Sequence, residues 1–250
     1  MKPLVVVFCA IATLSCAGPD TSARPEARPA PAMVADSRID RSAEENTQGG
    51  FLKSLRPIFR SPLAGRSSRQ QQKALAAGSV CGDPALQGET IGTIDGKIAG
   101  CGVDDAVRIS SVSGVNLSTK STMDCDTAKA LRSWVDGSAK PALSTKGGGL
   151  RELKVAAHYT CRRRNNAKTG KISEHGTGRA IDISGFELAD GSEISVLNGW
   201  AAANTAKAMQ KMHADACGPF GTVLGPRANR FHLDHFHFDT VRYRNGTYCR

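Results

Sequence analysis

Four of the six histidines lie in two short segments, residues 173–184 and 231–239, and each segment also contains aspartate. Imidazole and carboxylate groups are the donors found in catalytic zinc sites, where three protein ligands leave one position for water. A water molecule held in this way is deprotonated near neutral pH and can attack an amide carbonyl. The residue types in these segments therefore point to metal-assisted hydrolysis, provided that the fold brings the segments together.

The first segment should bring a histidine and a carboxylate close to one point. Gly176 and Gly178 allow a tight turn directly after His175. The chain then extends as a strand, in which Asp182 faces away from the apolar side that carries Ile181. A histidine on the turn and an aspartate on the polar face of the strand can therefore converge.

The second segment predicts a strand with histidines on one face. Alternation with a period of two puts His235, His237 and Asp239 on the polar face, and Phe236 and Phe238 on the buried face. One nitrogen from each of two histidines and one carboxylate oxygen would complete a set of three zinc ligands.

Helices and strands in irregular order surround these two segments. They predict a single α+β domain over residues 81–250, with a mainly antiparallel sheet that carries the zinc site and is flanked by helices. The predicted strands are residues 106–112, 153–160, 179–184 and 235–242, and the predicted helices are residues 123–135 and 200–216.

The first seventeen residues predict export. Lys2 precedes a short apolar run at residues 4–14, which is typical of a signal peptide and too short to remain as a membrane span. Two kinds of processing stay open. Either cleavage follows Ala17, or Cys16 is lipidated and anchors the chain to the membrane. Both routes lead to the periplasm or cell envelope.

Residues 18–80 are rich in Pro, Ala, Ser, Arg and Gln, which predicts a flexible tether. A basic stretch within it, residues 53–73, either binds anionic membrane or wall polymer or is a solvated linker. The formal net charge of the chain is +10, which favours an anionic partner. Export and the lack of a recognition motif argue against nucleic acid as that partner.

The cysteines agree with export. Outside the processed segment they form an even set, for which an oxidising compartment predicts up to three disulfides with fifteen pairings open. The sequence has no Cys-x-x-Cys pair, which argues against a thiolate metal site. The six residues are Cys81, Cys101, Cys125, Cys161, Cys217 and Cys249.

The two histidine segments also resemble a known signature. Residues 173–182 are similar to the Ser-x-His-x-x-Gly-x-Ala-x-Asp motif of the lysostaphin, D-alanyl-D-alanine metallopeptidase and hedgehog group, and His235 and His237 are similar to its closing His-x-His. The stretch from Cys81 to Cys249 resembles more closely the bacterial extensin-like C-terminal domain. The landmarks of that resemblance are Cys101-Gly102, Cys125, residues 159–162, the 173–182 motif, Cys217, residues 223–226 and residues 232–237.

This resemblance implies roles for individual residues. It implies that His175, Asp182 and His237 bind Zn²⁺, and that a further histidine beside them acts in catalysis. For that role His235 is preferred to Asp234 as general base or oxyanion stabiliser.

The resemblance also suggests that His232 assists His235. It suggests that Arg162 contacts a substrate carboxylate or the scissile carbonyl, although Arg162 could equally belong to a solvated basic loop. The implied function is a zinc-dependent peptidoglycan peptidase, with an endopeptidase preferred to a carboxypeptidase by analogy. The alternative is a non-catalytic envelope protein that binds the cell wall and keeps the metal site.

Overall fold

The structure is a computed structural model of the 250-residue chain, and it describes residue 73 and residues 75–243 and 246–250. The predicted signal peptide, Cys16 and nearly all of the predicted tether lie outside the described residues. Ser79–Val80, at the predicted end of the tether, forms the first strand. Within the described part of the chain, no helix is both long and apolar enough to cross a membrane.

The described chain forms one domain around a mixed, mostly antiparallel sheet with a few helices, as the sequence predicts. Parallel pairing occurs between β4 and β5 and between β8 and β10. The strand order is β1-β2-β3-β4-β5-β6-β9-β8-β10, and β7 pairs with β6. The strands are β1 (Ser79–Val80), β2 (Asp83–Asp95), β3 (Gly102–Val112), β4 (Val115–Met123), β5 (Leu150–Ala157), β6 (Ala180–Leu188), β7 (Glu193–Ser195), β8 (Thr222–Leu224), β9 (Phe236–Asp239) and β10 (Tyr248–Cys249).

Among the described residues, four α-helices lie between these strands. The first of them begins where the Asp124 carboxylate accepts a hydrogen bond from the Thr127 N–H at 2.7 Å, so this aspartate caps the helix. It continues into a short π-helix at Val135–Ala139. The helices are α1 (Cys125–Trp134), α2 (Lys140–Leu143), α3 (Val196–Gly199) and α4 (Ala206–Asp215), with short 3-10 helices at Arg164–Asn166 and Glu174–Thr177.

The hydrophobic core connects the helices to the sheet that carries the histidine segments. Ile181 and Ile183 of β6 and Phe236 and Phe238 of β9 are fully buried. Trp134 of α1 packs edge-on against Phe238, with ring centroids 5.0 Å apart, and its indole N–H donates to the Met212 carbonyl of α4 at 2.8 Å. Because the apolar side chains of β6 and β9 pack on this face of the sheet, the alternate side chains of the two strands lie on the opposite, polar face.

Three disulfides connect the six cysteines of the domain, which confirms the expectation of a disulfide-stabilised fold. Cys81–Cys125 joins the first hairpin to the start of α1, and Cys217–Cys249 joins the end of α4 to β10. Cys101–Cys161 joins the loop between β2 and β3 to the segment after β5. This third bridge lies beside the first histidine segment.

Candidate metal centre

Asp182 and His237 face each other across two neighbouring strands. They are direct partners in the antiparallel register of β6 and β9, so their side chains leave the same face of the sheet at the same level. His237 Nδ1 is 2.8 Å from Asp182 Oδ1, and His175 Nε2 is 3.1 Å from Asp182 Oδ2. One ligand atom from each of these three residues lies within 4.8 Å of the other two. The structure thus brings together the three predicted ligands.

A short turn carries His175 to this point. It forms the Glu174–Thr177 3-10 helix, which ends at Gly178 with a φ of +70°. A Cβ atom at Gly178 would lie 2.7 Å from the Val103 side chain, so the turn needs glycine for its backbone conformation and for its packing. The turn is also tied to the segment after β5, because the Thr160 N–H donates to the His175 carbonyl at 3.1 Å.

Each histidine of the cluster is oriented from behind by an oxygen acceptor. His175 Nδ1 donates to the His158 carbonyl at 3.0 Å, which fixes the tautomer and leaves Nε2 facing Asp182. His237 Nε2 is 3.3 Å from Asp239 Oδ2, which leaves Nδ1 facing the cluster. Acceptors of this kind orient metal-binding histidines and raise their basicity.

The sequence-based set of site residues did not include these two acceptors. Asp239 shares the polar face of its strand with His237, so the period-two pattern could have assigned it. The acceptor from His158 is a main-chain carbonyl, for which the residue type gives no signal.

The electrostatics of the cluster fit a cation bound at its centre. Burial opposes the charge on Asp182, but its contacts with the His175 and His237 imidazoles outweigh it and hold the pKa of this carboxyl well below its usual range. Burial also opposes the charge on His237, yet Asp182 and Asp239 raise its pKa to about 9. Without a metal, a proton on His237 therefore balances the buried carboxylate, and a metal ion could take its place. A donor set of two imidazoles and one carboxylate suits zinc.

His235 lies beside the cluster but outside the three-ligand group. Its Nδ1 is 2.8 Å from Asp234 Oδ1, and its Nε2 is 3.7 Å from Asp182 Oδ2. Asp234 thus orients the imidazole from the solvent side, while the other ring nitrogen faces the proposed metal position. This arrangement suits an imidazole that exchanges a proton with a substrate.

His232 packs against His235, with ring centroids 5.2 Å apart, and its Nδ1 is 2.8 Å from Asn229 Oδ1. Burial and the neighbouring charges of His237 and His235 lower the pKa of His232 to about 4. His232 is therefore neutral at physiological pH, and it can assist by packing or by hydrogen bonding but not as a cation.

The cluster opens into a pocket of about 480 Å³. Arg162 and Arg164 both line this pocket. Arg164 Nη2 is engaged with Glu174 Oε1 at 3.0 Å. In the described part of the chain, no carboxylate lies within ion-pair distance of Arg162. The structure thus places Arg162 in the pocket wall, with its charge available to a ligand.

Comparison with known proteins gives one family. No curated protein and no solved structure matches the chain. The family model described as "Extensin-like protein C-terminus" matches residues 86–250, which include every residue of the cluster and nearly all of the described sheet. By this match the chain belongs to the extensin-like protein C-terminus family.

Proposed function

We propose that the protein is a zinc-dependent peptidase that hydrolyses amide bonds in the stem peptides or crosslinks of peptidoglycan. The observation that carries this proposal is the convergence of His175, Asp182 and His237 in the wall of an open pocket, with His235 next to them. The similarity of the two segments to the lysostaphin and D-alanyl-D-alanine metallopeptidase group supports it. That similarity rests on the sequence motif.

The residues of the pocket divide the chemistry between them. Zinc, when held by His175, Asp182 and His237, supplies a Lewis acid that polarises carbonyl groups and lowers the pKa of water. His235 Nε2 can accept a proton from the attacking water and return it to the leaving amine, because Asp234 occupies its Nδ1. The Arg162 guanidinium can stabilise negative charge on the carbonyl oxygen or bind a substrate carboxylate.

The choice of peptidoglycan as the substrate rests on properties of the whole sequence. The predicted signal peptide directs the chain to the cell envelope, and the net charge of +10 favours an anionic polymer. An endopeptidase is preferred by analogy with the similar peptidases. The alternative is a wall-binding protein that keeps the metal site without turnover.

Digestion of purified sacculi and crosslinked muropeptides by the zinc-loaded protein, followed by mass spectrometry, tests the proposal. We expect new amine and carboxylate ends with the parent protein and none with His175→Ala, which loses a ligand. His235→Ala should keep its zinc and slow cleavage by about 10²–10⁴-fold, the range for loss of a general base. Asp105→Asn, an exposed change outside the pocket, is the control.

Two results would contradict the proposal. One is a zinc-loaded parent protein that leaves every wall substrate intact. The other is a His235→Ala variant that cleaves as fast as the parent. Binding to sacculi with no cleavage under any condition would support the non-catalytic alternative.

A further inference from the structure

The pocket that holds the histidine cluster has an aromatic rim. Within residues 75–243 and 246–250, three aromatic side chains are exposed: Phe231 at 49%, Tyr243 at 44% and Tyr248 at 48%. All three line this one pocket. Only 5% of the chain is aromatic, so a cluster of exposed rings around one pocket indicates a binding site for a ligand.

Two of these rings are held by neighbouring groups. The Arg230 guanidinium lies 4.9 Å from the centroid of the Phe231 ring, and the Arg250 guanidinium lies 5.6 Å from that of Tyr248. The backbone below Phe231 is fixed, because its N–H donates to Asn229 Oδ1 at 2.9 Å. A cation on one face of each ring leaves the opposite face for another partner.

Amide side chains line the same pocket as the rings. Asn165, Asn166 and Asn229 line the same pocket. Asn165 and Asn166 both have a φ of +53°, and both are exposed. Two consecutive non-glycine residues in the left-handed region are uncommon, and such conformations cluster at binding sites. Asn165 and Asn166 offer both donors and acceptors to a ligand that lies on the rings, and Asn229 offers its NH₂ group, because its Oδ1 already accepts from Phe231 and His232.

The chemistry of the rim matches a sugar better than a peptide side chain. A pyranose ring presents a face of C–H groups, which packs on an aromatic ring, and an edge of hydroxyl and acetamido groups, which bond to amides. Beyond the three rings, Leu224 is the one large aliphatic side chain in the lining, so the pocket offers no enclosed apolar subsite. The acidic lining residues are already engaged, Glu174 with arginines and Asp182 and Asp239 with the histidines.

We propose that the aromatic rim, formed by Phe231, Tyr243 and Tyr248, binds the N-acetylated amino-sugar strand of the wall polymer. The glycan would lie across the pocket mouth, and the peptide attached to it would reach the histidine cluster. This inference deepens the proposed function and rests on it for the identity of the polymer. Sugar binding itself needs neither zinc nor turnover.

Binding of peptide-free glycan to a variant that cannot cleave tests the inference separately from catalysis. The His175→Ala protein is titrated calorimetrically with a β-1,4-linked tetramer of N-acetylglucosamine and with glycan strands from which the peptides have been removed. We expect both to bind, and we expect Phe231→Ala or Tyr243→Ala in that background to weaken binding about tenfold. Leu197→Ala is the matched control, because Leu197 is 60% exposed and lies outside the pocket lining.

A second measurement uses the zinc-loaded protein. Phe231→Ala should raise KM for crosslinked peptide that is still attached to glycan, and it should leave KM for the free crosslinked peptide unchanged. Absence of glycan binding by the His175→Ala protein would overturn the inference. Rim variants that bind glycan as tightly as the His175→Ala protein would also overturn it, as would rim variants that weaken only the binding of free stem peptide. Glycan binding without any peptidase activity would overturn the proposed function and leave the rim assignment standing.

Discussion

Asp182 and His237 form a hydrogen-bonded pair, and the proton between them competes with a metal ion for the same place. The pKa of His237 is raised to about 9 by Asp182 and Asp239, against the effect of burial, so His237 carries a proton at neutral pH when no metal is bound. The contacts that raise this pKa stabilise the metal-free fold. Their contribution is fully present below the ordinary histidine pKa of about 6.5, and it is lost as the pH rises through about 9. A zinc ion that used Nδ1 of His237 as a ligand would have to displace this proton.

We therefore expect zinc binding to release a proton from His237 at pH 7.5. The apparent zinc affinity should rise with pH, by up to about tenfold per pH unit, until the pH reaches about 9. Calorimetric zinc titrations in two buffers with different ionisation enthalpies measure the proton count. The control is the His237→Ala variant, which should release fewer protons. A proton count near zero for the parent would contradict this prediction.

The sequence predicts the residues of the cluster but not the groups that orient them. The alternation of apolar and polar positions in residues 179–184 and 235–239 puts Asp182 and His237 on the polar faces of their strands, as found in the structure. The pattern does not give the register between the two strands, which is set by long-range packing. The contact of the His158 carbonyl with His175 depends on that tertiary arrangement and not on residue type, whereas the contact of Asp234 with His235 joins neighbours in the sequence.

At the scale of secondary-structure elements, the segment that follows β5 positions His175. Its His158 carbonyl accepts from His175 Nδ1, and its Arg162 carbonyl accepts from the Ser173 N–H at 3.0 Å. The Cys101–Cys161 disulfide anchors this segment to the β2–β3 loop. Cys101 also packs against the turn itself, because a Cβ atom added at Gly176 would lie 3.1 Å from Cys101 Sγ.

Loss of the Cys101–Cys161 bridge should therefore weaken zinc binding as well as stability. The double variant Cys101→Ser/Cys161→Ser should lose about 2–4 kcal/mol of unfolding free energy and should also bind zinc more weakly, because the loop that orients His175 is released. Cys217→Ser/Cys249→Ser, the matched control, should lose similar stability and keep its zinc affinity. Denaturant unfolding and titration against a competing chelator make the comparison. Equal zinc affinity in both variants would contradict the prediction.

The elements themselves were predicted unevenly. The helix at 123–135 corresponds to α1, and the strand at 106–112 corresponds to the end of β3. The predicted helix at 200–216 was too long, because α4 begins at Ala206 after an irregular turn. The long strand β2 was missed, since Pro84, Gly88 and Gly92 suggest a loop, whereas the structure accommodates the two glycines through irregular pairing with β3.

At the scale of the whole molecule, the positive charge should govern association with the wall. A net charge of +10 attracts an anionic polymer through interactions that salt screens over about 8 Å at physiological ionic strength. Contacts between aromatic rings and an uncharged sugar have no such dependence. Electrostatic and aromatic contributions to binding can therefore be separated by salt.

We expect binding of the His175→Ala protein to sacculi, measured by co-sedimentation, to weaken as NaCl rises from about 0.05 to 0.5 M. Binding of the uncharged N-acetylglucosamine tetramer should stay constant over the same range. If sacculus binding did not change with salt, the net charge would have no part in wall association.

The class of fold could be predicted, because composition and hydrophobic alternation reflect local physics. The α+β architecture, the mostly antiparallel sheet and the number of disulfides all agree with the structure. The pairing of the cysteines could not be predicted, since three long-range bridges depend on the complete topology. The aromatic rim was missed because Phe231 and Tyr243 lie in the irregular segments on either side of β9, whose paths around the pocket have no periodic pattern, and Tyr248 lies in the short strand β10.

The bridge beside the His175 turn also has a consequence for when the protein can act. Disulfides do not persist in reducing compartments, so a newly made chain would there lack the anchor of the segment that orients His175. Metal binding would then be weaker before oxidation, and the proposed peptidase would reach full activity only in an oxidising space. The formation of one covalent bond would thus come before full activity of the proposed peptidase.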